Sequence, residues 1–121
     1  MVSDGYSSHG ARPAYLSVAP LAVDLVSGRA WRDDLPLYDG KRLPPTAAGI
    51  LWLLMSRAPA WVSLDEIRDV LWCDPLLSVL RDGVPKDNTV RKHIETLRRI
   101  VDKRGRPLIK NEPGEGWYLA L

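Results

Sequence analysis

Apolar and polar positions change period twice along the 121-residue chain. Between Tyr15 and Leu43, short apolar or alternating runs cover Tyr15 to Val18, Leu21 to Leu25, Ala30 to Arg32 and Leu35 to Tyr38. Ser27-Gly28 and Asp39-Gly40 punctuate them, and Asp39-Gly40 ahead of Lys41 to Leu43 carries a hairpin signal, so this region predicts a small antiparallel sheet. Pro44-Pro45 ends it, and the spacing becomes helical. Thr46 is positioned to cap a first helix with an apolar stripe of Ile50, Leu51, Leu53, Leu54 and Met55, closed by Ala58-Pro59-Ala60. Ser63-Leu64-Asp65-Glu66 is a capping-box pattern that opens a second helix, with Leu64, Ile67, Val70 and Leu71 inward and Trp72 at its end.

A third helix is the clearest element. Asp87 or Asn88 caps it, and Val90, Ile94, Leu97 and Val101 recur at the spacing of one buried stripe. The opposite face carries Lys92, Glu95, Thr96 and Arg99, flanked by Arg91 and Lys103. After Gly105 strand chemistry returns in Leu108 to Lys110 and Trp117 to Leu121, joined by the polar turn Glu112-Pro113-Gly114-Glu115-Gly116. The order is strands, three helices, hairpin: an α+β fold, with residues 1–14 expected as a flexible Ser-, Gly- and Pro-rich tail and 15–121 as one domain. Between the second and third helices, Cys73 to Pro85 is long for a helix connection; with Leu76, Leu77, Val79 and Leu80 it is either a functional loop or a helical turn covering the core.

Composition narrows the function classes. Hydrophobic residues make up 45% and charged residues 26%, an ordinary balance for one compact domain that can bury a core without staples. Cys73 is the single cysteine, so no intramolecular disulfide can form, which suits a reducing cytoplasm. No apolar run is long enough to span a membrane and the N-terminus lacks a signal-peptide h-region, so a cytoplasmic, unanchored protein is expected. The net charge is only +2, but Lys86 to Arg106 alone carries +5, leaving −3 elsewhere. Such a basic segment is either a solvated helix face or a nucleic-acid footprint.

Three short helices, the third basic outside and followed by a hairpin, is the arrangement of a winged helix-turn-helix. The DNA major groove, about 12 Å wide, admits one helix that presents polar side chains outward while its other face stays packed. The third helix meets both conditions.

The sequence also resembles the OmpR/PhoB-type winged-helix effector domains of bacterial response regulators, over Leu35 to Leu121. Val62-Ser63-Leu64-Asp65-Glu66-Ile67 with Val70-Leu71-Trp72 is similar to that family's second helix. Thr89-Val90-Arg91-Lys92-His93-Ile94-Glu95-Thr96-Leu97-Arg98-Arg99 is similar to its recognition helix, and Ile109 with Gly114-Glu115-Gly116-Trp117 to its wing, where Trp117 stands at a position usually held by Tyr. The resemblance implies a sequence-specific, double-stranded DNA-binding transcriptional regulator of bacterial or phage type. Arg91, Lys92, Glu95 and Thr96 match base-reading positions. Thr89, His93, Arg98, Arg99 and Lys103 are expected at phosphates, with packing as the plainer role for His93 and an ion pair for Arg98. Pro113 stands where an Arg is common and Glu112 and Glu115 repel phosphate, so the wing either stays off the DNA or touches it through Lys110 and Asn111. Pro45-Thr46-Ala47 followed by Gly49 departs from the family's Leu-Thr-Pro and Glu. Only a short sheet and tail precede the module, so no receiver domain or phosphoacceptor Asp is expected, nor phosphorylation-controlled dimerisation by the usual route unless another polypeptide supplies it.

Two other classes compete. A winged helix that docks on RNA polymerase, another regulator or itself is suggested by the acidic wing, the −3 remainder and Leu76, Leu77 and Leu80, which occupy the place of the family's polymerase-contacting loop. A homodimer or tandem assembly on DNA is compatible with either class. An enzyme is least supported: no Gly-rich phosphate loop, metal-ligand cluster or activated nucleophile is visible, so no catalytic residue, metal or cofactor is expected. Asp33-Asp34 and Asp65-Glu66 read as solvated or capping carboxylates. Five tryptophans could stack bases of a single strand, but Trp52, Trp61 and Trp72 lie within or beside helical stripes and are expected in the core, while Trp31 has no evident place.

Overall fold

A computed structural model describes residues 15–73, 87–103 and 105–121, with the side chains of 71–73 and 87–89 outside the description. The expected tail 1–14, the Asp87 or Asn88 cap, the Trp72 side chain and the loop leucines Leu76, Leu77 and Leu80 therefore lie outside the described residues. Strands β1 (Tyr15–Val18), β2 (Leu21–Asp24), β3 (Arg29–Arg32) and β4 (Leu35–Pro36) form an antiparallel sheet in sequential order. Helices α1 (Pro45–Arg57), α2 (Leu64–Cys73) and α3 (Asp87–Asp102) follow, then the hairpin of β5 (Ile109–Glu112) and β6 (Gly116–Leu119). This is the winged helix-turn-helix arrangement.

Leu21, Val23 and Ala30 point inward from the sheet and are buried, as the alternation predicts. The hairpin turn is not where the Asp-Gly signal placed it. Asp33 and Asp34 both adopt left-handed backbone, with φ of 55° and 65°, and connect β3 to β4 through a two-residue turn. A pair of positive-φ residues matches the twist of the flanking strands, and Asp tolerates that conformation better than most side chains. Asp39-Gly40 instead sits in a 3-10 turn, Tyr38–Gly40, closed by Lys41 N–H donating to the Tyr38 carbonyl at 2.9 Å. The chain from Lys41 to Pro44 then runs to α1 without pairing as a strand.

Thr46 does not cap α1. Pro44 is the N-cap and Pro45 the first helical residue, where its missing N–H leaves no donor unsatisfied. Residues Ala47 to Met55 are buried without interruption, so α1 has no solvent face over this stretch and runs through the centre of the fold, against the sheet, both other helices and β6. Ala47, Ala48 and Gly49 give it a small-residue start. In α2 half of the expected capping box is formed: the Ser63 hydroxyl accepts from Glu66 N–H at 3.1 Å, while the Glu66 carboxylate pairs with Arg57 at the end of α1. Val90, Ile94, Leu97 and Val101 of α3 are all fully buried.

One inward residue of the sheet is charged. Arg32 is only 4% exposed and reaches the far end of α3, where Nη1 donates to the Val101 carbonyl at 2.8 Å and Nη2 to the Arg106 carbonyl at 2.9 Å. The first acceptor belongs to the last turn of α3, whose carbonyls have no intrahelical donors and carry the negative end of the helix dipole. Among the described residues Arg32 faces no carboxylate and its buried Nε has no hydrogen-bond partner, so this dipole and the two charge-assisted bonds offset only part of its desolvation. The same corner is closed by the Asp102 carboxylate, which accepts from Leu108 N–H at 2.9 Å and, more weakly, from Ile109 N–H at 3.4 Å.

Replacement of Arg32 by Met should strand both carbonyls and lower stability by about 2–3 kcal/mol in urea unfolding, whereas a change under about 0.5 kcal/mol would show that the clamp is not needed. Burial holds the half-buried His93 imidazole below its ordinary pKa, because desolvation disfavours the charged ring. The unfolded chain therefore takes up the proton more readily than the folded one. Stability should be full above pH of about 6.5 and decline as pH falls through the window beneath it, with His93→Gln removing this part of the slope.

Candidate nucleic-acid interface

Burial of the Val90 stripe rotates the other side of α3 outward. Arg91, Lys92, Glu95, Thr96 and Arg99 line one shallow groove of about 470 Å³. All but the half-buried Thr96 are exposed. The four expected base-reading residues and Arg99 are thus brought together. The groove continues into a second depression shared by Arg99, Ile100, Lys103, Tyr38 and Asp39, so the 3-10 turn borders the C-terminal half of α3. Glu95 and Arg98 form an i,i+3 pair at 3.3 Å, which leaves Arg98 half-buried beside the groove and holds one Glu95 oxygen. Exposed pairs of this kind contribute at most about 1 kcal/mol, so either partner can be recruited elsewhere. The side chain of Thr89 lies outside the described residues.

The wing stands beside the start of α3. A cleft of about 480 Å³ separates the cap Ser63 and Leu64 and Asp65 of α2 from the wing residues Asn111 to Trp117, and Arg91 lines it from the α3 side. Backbone pairing fixes the wing there: Val62 N–H donates to the Trp117 carbonyl at 2.8 Å, and Trp117 N–H to the Val62 carbonyl at 3.0 Å. Gly116 makes the approach possible. Its φ is +129°, and a Cβ at this position would lie 2.2 Å from the Val62 carbonyl oxygen, which no rearrangement of a side chain could relieve. Of the wing residues expected to face DNA, Lys110 is half-buried and Asn111 is exposed, with its Nδ2 donating to the Gly116 carbonyl at 3.2 Å. Glu112, Pro113 and Glu115 are exposed at the tip, and Glu115 N–H donates to the Glu112 carbonyl at 2.9 Å.

Tryptophans divide differently from expectation. Trp52 is buried in α1, but Trp61 is 40% exposed and lies edge-on to Tyr118 with ring centroids 4.2 Å apart, because it belongs to the loop that the wing covers. Trp31 lies on the outer face of the sheet, tilted against Tyr15. Trp117 is 5% exposed, and the Arg91 guanidinium stands 5.7 Å from its ring centroid. Sequence reasoning missed this contact and the Arg32 clamp. An arginine in register with the inward residues of β2 and β3 was the available signal for the clamp. The described residues contain no cluster of metal-ligating side chains, and none of the described helices is long and apolar enough to cross a membrane.

Three comparisons place this geometry. The family described as "Transcriptional regulatory protein, C terminal" matches residues 39–119, two-thirds of the chain and all of α1, α2, α3 and the hairpin. The DNA-binding domain of Escherichia coli CadC is similar in structure with a TM-score of 0.68 at 18% identity, over 91% of this chain and 94% of that one. The DNA-binding domain of CpxR from E. coli is 25% identical, with a TM-score of 0.59, over 87% of this chain and 94% of that one. The Klebsiella pneumoniae RstA DNA-binding domain, solved in complex with the RstA box, is 22% identical with a TM-score of 0.61, over 88% of this chain and 96% of that one. No curated protein sequence is significantly similar to the chain. The span of the family match, together with a three-helix core, an N-terminal sheet and a C-terminal wing, shows that the chain belongs to the OmpR/PhoB-type DNA-binding family of transcriptional regulators.

Proposed function

We propose that the chain regulates transcription by reading double-stranded DNA with α3 in the major groove. The observation that carries this reading is the division of α3: one face is fully buried, and the other gathers Arg91, Lys92, Glu95, Thr96 and Arg99 in a single groove. Arg91 can donate two parallel bonds to guanine O6 and N7, and Glu95 can accept from cytosine N4. Lys92 and Thr96 complete the base-facing set. Arg99 and Lys103, further along the helix, with Arg98 and Thr89, serve phosphates and fix register. His93, half-buried and held toward its neutral form, braces the helix more than it attracts phosphate. Two solved relatives of this fold are in complexes with DNA, RstA with its box and the response regulator AdeR with an intercistronic region, which supports the same class of partner here. The activity is binding, not catalysis, and a regulator that works on bacterial DNA acts in the cytoplasm.

The wing contributes little attraction at its tip, since Glu112 and Glu115 would face phosphate with like charge. Those carboxylates favour a second, compatible role for the wing: docking on a protein such as RNA polymerase or another regulator.

Selection of bound sequences from a random duplex pool should enrich one motif, and repetition of that motif would report copies bound in tandem. Arg91→Ala should then cost about 1–3 kcal/mol against the preferred base and relax preference at that position only. Arg99→Ala should weaken all sequences alike and reduce the salt slope by about one. Duplex affinity no greater than that of a matched basic control would sink the proposal. A protein partner of the wing should still be captured by a chain carrying both Arg91→Ala and Arg99→Ala, and lost when Glu112 and Glu115 become Gln.

A further inference from the structure

Arg91 borders both depressions of the interface: the groove along α3 and the cleft under the wing. It is exposed, and among the described residues it forms no ion pair or side-chain hydrogen bond; its one specific neighbour is the Trp117 ring, 5.7 Å from the guanidinium carbon. Glu112, Glu115 and Asp65 line the same cleft without closing on it as ion-pair partners. The indole itself cannot swing away. Trp117 is 5% exposed, and its backbone is paired with Val62 on one side and with Asn111 on the other.

From this geometry we infer that Trp117 is a positioning residue, a fixed aromatic face that holds Arg91 in one direction with its N–H donors free. The inference rests on the DNA reading above and adds to it the source of Arg91's selectivity. A long arginine on an exposed helix face samples many rotamers, and each bond to a base must offset the entropy lost in ordering it. A cation held over an indole by its quadrupole has lost part of that freedom already, while its planar donors stay available at the edge. The acidic lining of the cleft acts in the same sense. Its field retains the cation near the wing, and the absence of a paired carboxylate leaves no bond to break before DNA is engaged. Arg91 thus reaches the duplex from a fixed anchor, which favours one base step over the neighbouring phosphates.

The test uses the full chain and three variants: Trp117→Leu, which removes the π face; Trp117→Tyr, which keeps it; and Arg91→Gln. Discrimination is read as the ratio of affinities for the selected duplex and for a duplex altered at the Arg91 position, below the unfolding transition of each variant. Trp117→Leu should lower that ratio about two- to fivefold, while ratios at other positions and the salt slope stay unchanged. Trp117→Tyr should retain most of it, and Trp117→Leu should cost nothing further in an Arg91→Gln background. An equal loss at all positions, or a loss that persists in the Arg91→Gln background, overturns the inference, because a merely structural tryptophan would act in that way. A DNA-free readout separates the two proposals: the Arg91 side-chain methylene protons should be shifted upfield by the indole ring and return in Trp117→Leu. A chain with sequence preference but no upfield shift refutes the positioning role and leaves the DNA reading standing. A chain with the shift but no duplex affinity refutes the DNA reading and, with it, the role assigned to the contact.

Discussion

The interface depends on where α3 is held, and the C-terminal end of α3 is held by Arg32. A helix of 16 residues is about 24 Å long, so an error of a few degrees in its axis moves its reading face by a substantial part of a base-pair step. Packing of Val90, Ile94, Leu97 and Val101 sets the depth of the helix and its rotation, but apolar contacts are not directional. The two bonds from Arg32 to the Val101 and Arg106 carbonyls are directional, and they join a strand early in the chain to the junction of α3 and β5. Asp102 then orients the first residues of the wing strand from the same corner. Helix end, strand start and sheet are therefore one polar joint within an apolar core.

The wing is fixed from its other end by backbone. Val62 and Trp117 exchange both of their main-chain bonds across a gap that admits no Cβ at Gly116. Between them, the joint at Arg32 and this bridge enclose α1, whose stretch from Ala47 to Met55 is buried on every side. The central helix supplies apolar surface, and the two polar attachments supply geometry. Such a division leaves the Glu112 and Glu115 side chains free to carry any chemistry, because the wing is held by main-chain bonds and not by these carboxylates.

Elements with one strong period were legible in the sequence. The stripe of α3 and the Ser63 cap of α2 follow from spacing alone, and the family's recognition pattern over Thr89 to Arg99 pointed to the same helix. Features governed by tertiary context were not. Asp39-Gly40 has the better local turn signal, yet the hairpin uses Asp33-Asp34, because Leu37 is drawn into the core and leaves β4 only two residues long. Thr46 is a good capping residue preceded by prolines that take the cap and the first helical position themselves. Trp61 resembles a core residue by composition and is half covered by Tyr118 instead, a contact between positions 57 residues apart that no local pattern encodes. The Arg32 clamp is the most instructive case: its place in the strand alternation was visible, but its partners lie some seventy residues away.

Acidic residues at the wing tip and basic residues along α3 also give the domain an electrical direction. A body with carboxylates beside one end of its reading helix and Arg99 and Lys103 toward the other experiences a torque in the field of a polyanion, not only an attraction. That torque acts over about a Debye length, roughly 8–10 Å at physiological salt, before any side chain touches a base. A domain that bound DNA as proposed would be turned by that field with Arg99 and Lys103 toward the phosphates and the wing tip away from them.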